Sequence, residues 1–144
     1  MTLHLVKLCV GAEGVDDLRT WQAARLKEKK KSGEAPILAH VTRMVPKRAE
    51  ELLNGGSLYW VMKGVIRCRQ KLLDIEPFVD GEGTRRCRLV LDPDIVLTQR
   101  REKRPFQGWR YLEVADAPRD AATGGDVEEM PEEMRRELEE LGLL

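Results

Sequence analysis

The stretch VIRCRQKLLDIEPFV (residues 65–79) constrains the fold more than any other part of the chain. Polar and apolar residues alternate through it, a period of two that suits a strand and not a helix. The alternation changes phase at Leu72-Leu73. A phase change inside a long strand predicts a bulge, where one extra residue bends the strand. Asp80-Gly81-Glu82-Gly83 then supplies a turn, and TRRCRLVL (84–91) returns as the antiparallel partner. A long bent strand set among hairpins is how a small sheet curls toward a partly closed barrel.

The flanking segments add further strands and short helices. LHLVKL (3–8) alternates and predicts a first strand. Residues 14–31 predict a helix with Val15, Leu18, Trp21 and Leu26 on its apolar face. Asp16 and Asp17 at its start and KEKKK (27–31) at its end suit the helix dipole, and Ser32-Gly33 stops it. APILAHVTRM (35–44) predicts a strand, and Pro46 opens the short helix PKRAEELL, which Asn54-Gly55-Gly56 closes. SLYWVMKG (57–64) reads as a mostly apolar strand. Asp92-Pro93-Asp94 turns into IVLTQ (95–99), RREKRP (100–105) reads as a basic loop, and FQGWRYLEV (106–114) ends the basic part. The expected fold is α+β: a small, mostly antiparallel, partly closed β-barrel with two or three short helices. From Ala115 the composition shifts. DAPRDAATGGD has no apolar period and reads as a linker. Pro131 and the spacing Met134–Leu138–Leu141 then predict a C-terminal helix. The expected division is a basic barrel domain over 1–114 and an acidic linker and helix over 115–144, packed on or tethered to it.

Charge follows the same division. Residues 1–110 hold 22 Lys and Arg against 14 Asp and Glu, whereas residues 111–144 hold 3 against 11. A basic body of this kind points to a polyanion partner, and an acidic tail to a segment that masks one. No apolar run approaches the roughly 20 residues of a membrane helix, and no secretory signal is evident, so a cytoplasmic protein is expected. Cys9, Cys68 and Cys87 have neither a disulfide pattern nor zinc spacing, and Cys68 and Cys87 read as small buried hydrophobes. His4 and His40 are single histidines on apolar strands and read as structural. No HExxH, GxSxG, Walker or dinucleotide pattern is present. No catalytic residue, metal ligand or cofactor is therefore assigned.

The residues that point to function are cations interleaved with aromatics. Arg67, Arg69 and Lys71 share one face of the long strand, a positive stripe able to track phosphates. Exposed sheet faces also carry cations merely to discourage edge pairing. Arg43, Lys47 and Arg48 form a second cluster, Arg85, Arg86 and Arg88 a third, and Arg100, Arg101, Lys103 and Arg104 a fourth. Arginine's planar fork suits phosphate contact and stacking on bases. In RPFQGWRYL (104–112), Phe106 and Trp109 are expected in the core, while Arg104, Gln107, Arg110 and Tyr111 stay available for a ligand. In Tyr59-Trp60-Val61-Met62-Lys63, one of Tyr59 and Trp60 is expected in the core. The other would be exposed beside Lys63 to stack a base.

VTRMVPKRAEELLNGGSLYWVMKGVIRCRQKLLDIEPF, RPFQGWRYLEVADAPRD and the final LGLL together resemble the family catalogued as domain of unknown function 1489. Its members are small bacterial proteins, mainly alphaproteobacterial. The resemblance covers almost the whole chain and implies no activity. The order strand, short helix, GGSLYWVMKG and arginine-bearing strand is also similar to small barrels of the pseudouridine-synthase-and-archaeosine-transglycosylase (PUA) type and their ASCH relatives. That likeness implies RNA or a modified nucleotide as ligand. The leading expectation is a nucleic-acid-binding module, RNA before DNA. The alternatives are a protein-interaction adaptor using the acidic C-terminal helix, or a small nucleotide-processing enzyme using a carboxylate or Cys68.

Overall fold

The computed structural model describes residues 2–121. Its elements are β1 (His4–Leu8), α1 (Val15–Lys31), β2 (Leu38–Thr42), α2 (Ala49–Leu52), β3 (Ser57–Met62), β4 (Val65–Val79), β5 (Arg85–Leu91), β6 (Val96–Glu102) and β7 (Trp109–Leu112). A 3-10 turn follows at Val114–Asp116. The α+β class holds, and the sheet is mostly antiparallel. Among the described pairings only β1 with β3 is parallel.

Strand β4 organises the sheet. Its first half lies between β3 and β6, and its second half pairs with β5. The register shifts between Leu72 and Asp74, where the alternation changes phase, as a bulge requires. Strands β5 and β6 together retrace β4 from end to end, broken only by the turn around Pro93. The strand order is β2-β5-β4-β3-β1-β7, with β6 also on β4. This path has two ends, so the ladder does not close and backbone pairing does not make the expected barrel. Side chains link the two ends instead. Trp109 Nε1 on β7 donates to the Met44 carbonyl just after β2 (3.0 Å). The Tyr111 hydroxyl accepts from the backbone N–H groups of Lys47 (3.0 Å) and Arg48 (3.2 Å). This junction is called the seam below.

Two apolar clusters lie on opposite faces of β1 and β3. The larger includes Leu5, Leu58, Trp60, Cys68 and Leu89 and packs under Val15 and Leu18 of α1. The smaller holds Val6, Tyr59, Val61, Ile66 and Leu112. Every residue of β3 is buried, which explains its nearly unbroken apolar run. Gly56 admits the chain into β3: a Cβ there would lie 2.1 Å from the Leu3 carbonyl oxygen and 2.3 Å from that of Leu52. Only glycine allows that approach.

Several expectations are corrected. Tyr59 and Trp60 are both buried, at 4% and 3% exposure, because β3 has a cluster on each face, so neither is free to stack a base. Trp21 is 47% exposed and leaves the core face of α1. The inward place four residues after Leu18 goes to Gln22, whose amide bonds the fully buried Gln70. Strand β6 extends through Arg100, Arg101 and Glu102, which the sequence reading placed in a loop. Residues 115–121, read as linker, are packed. Ala117 sits against the smaller cluster. The Gln99 N–H donates to the Arg119 carbonyl and the Ala121 N–H to the Leu97 carbonyl, both at 2.8 Å. An edge strand can recruit such a segment through backbone bonds alone, which need no apolar period. The expected C-terminal helix from Pro131 lies outside the described residues. No described helix is long and apolar enough to cross a membrane.

Candidate nucleic-acid interface

Of the three cations of the β4 stripe, Arg69 is committed to internal contacts. Arg69 makes a bidentate pair with Asp120 (2.7 and 2.8 Å) and donates a third bond to Ser57 Oγ (3.0 Å). The hydrogen bonds from Arg69 hold the Asp120 carboxyl below its ordinary pKa. His4 lies in the same neighbourhood: its Nδ1 accepts from the Ser57 N–H (3.0 Å), and its ring meets Tyr59 edge-on. Burial first, and then the Arg69 charge, keep His4 below the usual imidazole pKa. Arg67 is half-buried and Lys71 exposed, and neither has an ion-pair partner among the described residues.

The other clusters behave similarly. Arg48 bonds Glu51 at 2.5 and 2.9 Å, approaches Glu113 at 3.8 Å and lies 5.5 Å from the centre of the Tyr111 ring. Tyr111 is thus built into the seam. Arg86 pairs with Asp80 (2.5 Å), and Arg88 reaches Glu76 (3.4 Å) over the Phe78 ring. Arg101 donates to the Asp116 carbonyl. Lys103 and Arg110 flank Phe106, and Arg110 also donates to the Gln107 carbonyl (2.9 Å). Lys63 lies 4.0 Å from Glu13 and, with Lys103 and Arg104, rims a shallow depression where β3 and β6 end and β4 begins. Lys47 and Gln107 are exposed. Arg48, Lys63, Arg69 and Arg110 are therefore already engaged within the chain.

Uncompensated charge gathers at the seam instead. A cavity of about 220 Å³ under α1 is lined by Lys7, Trp21, Gln22, Arg25, His40 and Trp60, among others. A second, of about 340 Å³, shares Lys7 and includes Arg43, Met44, Arg86 and Trp109. No carboxylate lines either cavity. Arg86 is held by Asp80, whereas Lys7, Arg25 and Arg43 have no ion-pair partner among the described residues. Burial lowers the pKa of Lys7. His40, edge-on to Trp60 at 5.2 Å, is pushed down to about 4 by burial first and then by Lys7 and Arg25. It is neutral at physiological pH.

Of the residues assigned from sequence, Arg43 and Trp60 line these cavities, together with Arg86 of the third arginine cluster. Lys7, Trp21, Gln22, Arg25 and His40 were missed. Lys7 shares the parity of Leu3 and Leu5, which point into the larger cluster, and His40 shares that of Leu38. A polar residue on the apolar parity of a strand is the signal that marks both.

Cys68, the candidate thiol nucleophile, is not activated, and neither is Cys9. Burial raises Cys68 to about 12 and Cys9 to about 11, so both remain thiols at neutral pH. No group of three or more His, Cys, Asp or Glu side chains is placed to hold a metal among the described residues.

The family model described as protein of unknown function (DUF1489) matches residues 5–144. No curated protein and no solved structure matches the chain.

Proposed function

The chain belongs to this DUF1489 family, and we propose that it binds nucleic acid, RNA before DNA, along the seam between β2 and the β1–β7 edge. The observation that carries the reading is the pair of adjoining cavities joined by Lys7. Lys7, Arg25 and Arg43 line them without a carboxylate, beside the half-exposed ring of Trp21. Unpaired cations beside an exposed aromatic ring suit a chain that alternates phosphates with flat bases. The likeness to PUA and ASCH barrels favours RNA. A sheet whose two ends are tied by Trp109 and Tyr111 is compatible with that comparison, although its ladder stays open. The interface moves from the outer face of β4, where Asp120 already neutralises Arg69, to the seam.

The test is fluorescence anisotropy with a labelled single-stranded RNA across a salt series. Each phosphate contact contributes about −0.7 to the slope of log K against log salt on a single strand. Binding through the three unpaired seam cations therefore gives a slope near −2. No binding at low salt, or binding insensitive to salt, removes the proposal.

A further inference from the structure

We infer that the cavity under α1 is a pocket for a single nucleotide: one flat ring with a hydrogen-bonding edge, carrying one anionic group. The inference deepens the nucleic-acid reading and rests on it for the polymer to which such a nucleotide would belong. The pocket itself is argued from its own walls.

The first wall is polar, and its polarity is fixed from the core. The Trp60 indole N–H can only donate, and it donates to Gln70 Oε1 (2.9 Å). Gln70 Nε2 in turn donates to the Asp92 carbonyl (3.0 Å). These two bonds leave one orientation for the buried Gln70 amide. Gln70 then exchanges two bonds of 2.8 Å with Gln22: Gln22 Nε2 donates to Gln70 Oε1, and Gln70 Nε2 donates to Gln22 Oε1. The half-buried Gln22 is thereby held in one orientation at the cavity wall. A primary amide has two N–H donors and two acceptor sites. Gln70 takes the paired edge of the Gln22 amide, so Gln22 keeps one N–H donor and one acceptor lone pair on opposite flanks of the amide. A heterocyclic base, which carries both donors and acceptors, can bond whichever flank faces the cavity, whereas a bare phosphate or carboxylate can use only the donor.

The second wall is cationic. Lys7 and Arg25 line the same cavity without an ion-pair partner among the described residues, and His40 beside them is neutral. The third is aromatic: Trp21 is 47% exposed, and its ring packs so close to Gly11 that a Cβ there would stand 3.2 Å from Cη2. Gly11 also has φ +87°, a backbone conformation that favours glycine at this contact with Trp21. The volume, about 220 Å³, falls below the roughly 300–1,000 Å³ of pockets for drug-sized ligands. It suits one base and not a dinucleotide.

Calorimetric titration with the four nucleoside monophosphates, ribose 5-phosphate and inorganic phosphate tests the inference on the full chain. At least one nucleoside monophosphate is expected to saturate one site per chain, at least tenfold more tightly than ribose 5-phosphate. Gln22→Ala and Trp21→Ala are each expected to weaken that nucleotide about tenfold and to leave inorganic phosphate unchanged. Arg25→Ala is expected to weaken all ligands. A melting curve for each variant confirms folding, and Trp21→Phe, which keeps a flat ring, is expected to recover most of the affinity. Equal affinity for ribose 5-phosphate and every nucleotide, or no nucleotide binding at millimolar concentration, overturns the pocket. RNA binding that survives with no nucleotide binding defeats the pocket alone. Nucleotide binding without RNA binding supports the pocket and defeats the polymer reading.

Discussion

The outer face of β4 and the seam carry the same kind of charge and differ in what answers it. On β4, Arg69 meets a carboxylate in bidentate geometry, and its neighbourhood is closed over by residues 113–121, whose Ala117 lies on the smaller apolar cluster. At the seam, Lys7, Arg25 and Arg43 line cavities that contain no acid. An arginine already held by a carboxylate must surrender that bond before it can hold a phosphate, so its net gain on binding is small. An unpaired cation gives up only its water. The number of basic residues in a stretch is therefore a poor guide to an interface, and the acids folded beside them decide.

The contrast breaks most visibly on charge removal. The triple variant Lys7→Ala, Arg25→Ala, Arg43→Ala is expected to lose at least about 100-fold in RNA affinity and to flatten the salt slope by about 2. Arg69→Ala with Lys71→Ala removes as dense a pair of cations from β4 and is expected to cost less than about threefold. Equal losses from both variants would return the interface to β4. A second, slightly smaller effect concerns stability. Gln70→Ala orphans the Trp60 N–H and the Asp92 carbonyl. It is expected to cost about 2 kcal/mol in denaturant unfolding, since each buried polar group left unpaired carries a penalty of about 1–3 kcal/mol. A cost below about 0.5 kcal/mol would mean that water replaces the amide, and that Gln22 is not held in one orientation by the core.

Much of the fold was legible because it follows from local periodicity. The phase change at Leu72-Leu73 located the bulge, and SLYWVM read as an apolar strand. What failed was long-range. Nothing local to Tyr59-Trp60 reveals that β3 has a cluster on both faces, because that depends on Leu112 of β7 and Ala117 far along the chain. The stripe Arg67–Arg69–Lys71 was correctly placed on one strand, yet the partner of Arg69 comes from a segment with no periodicity of its own. Asp120 is 51 residues away in sequence. The seam residues were visible in principle. Lys7 and His40 sit on the core parity of strands β1 and β2, and Gln70 lies between Cys68 and Leu72 in a fully buried position. His40 was read as a single structural histidine, and the common destination of these residues emerges only from the folding of α1 over the sheet.

Proton linkage separates the two regions by pH and gives the smallest effects. At the seam, His40 has an ordinary value of 6.5 and a folded value of about 4. The unfolded chain therefore takes up a proton first as pH falls. Its contribution to stability is complete above about pH 6.5 and is lost as pH drops toward 4. His4, lowered by burial and by Arg69, adds to the same limb, so His40→Gln is expected to make that limb shallower without abolishing it. On β4, Asp120 is held below its ordinary 3.8 by Arg69. Its contribution is complete above that value and is lost as pH falls through the lower folded value. Asp120→Asn is expected to cost about 1 kcal/mol at pH 7, as for a half-exposed bidentate pair, and to flatten the curve only below pH 4. The same variant frees Arg69. If the seam binds RNA, Asp120→Asn leaves affinity within about twofold. A rise of tenfold would identify residues 113–121 as a cover over a β4 binding face and reverse the comparison between the two regions.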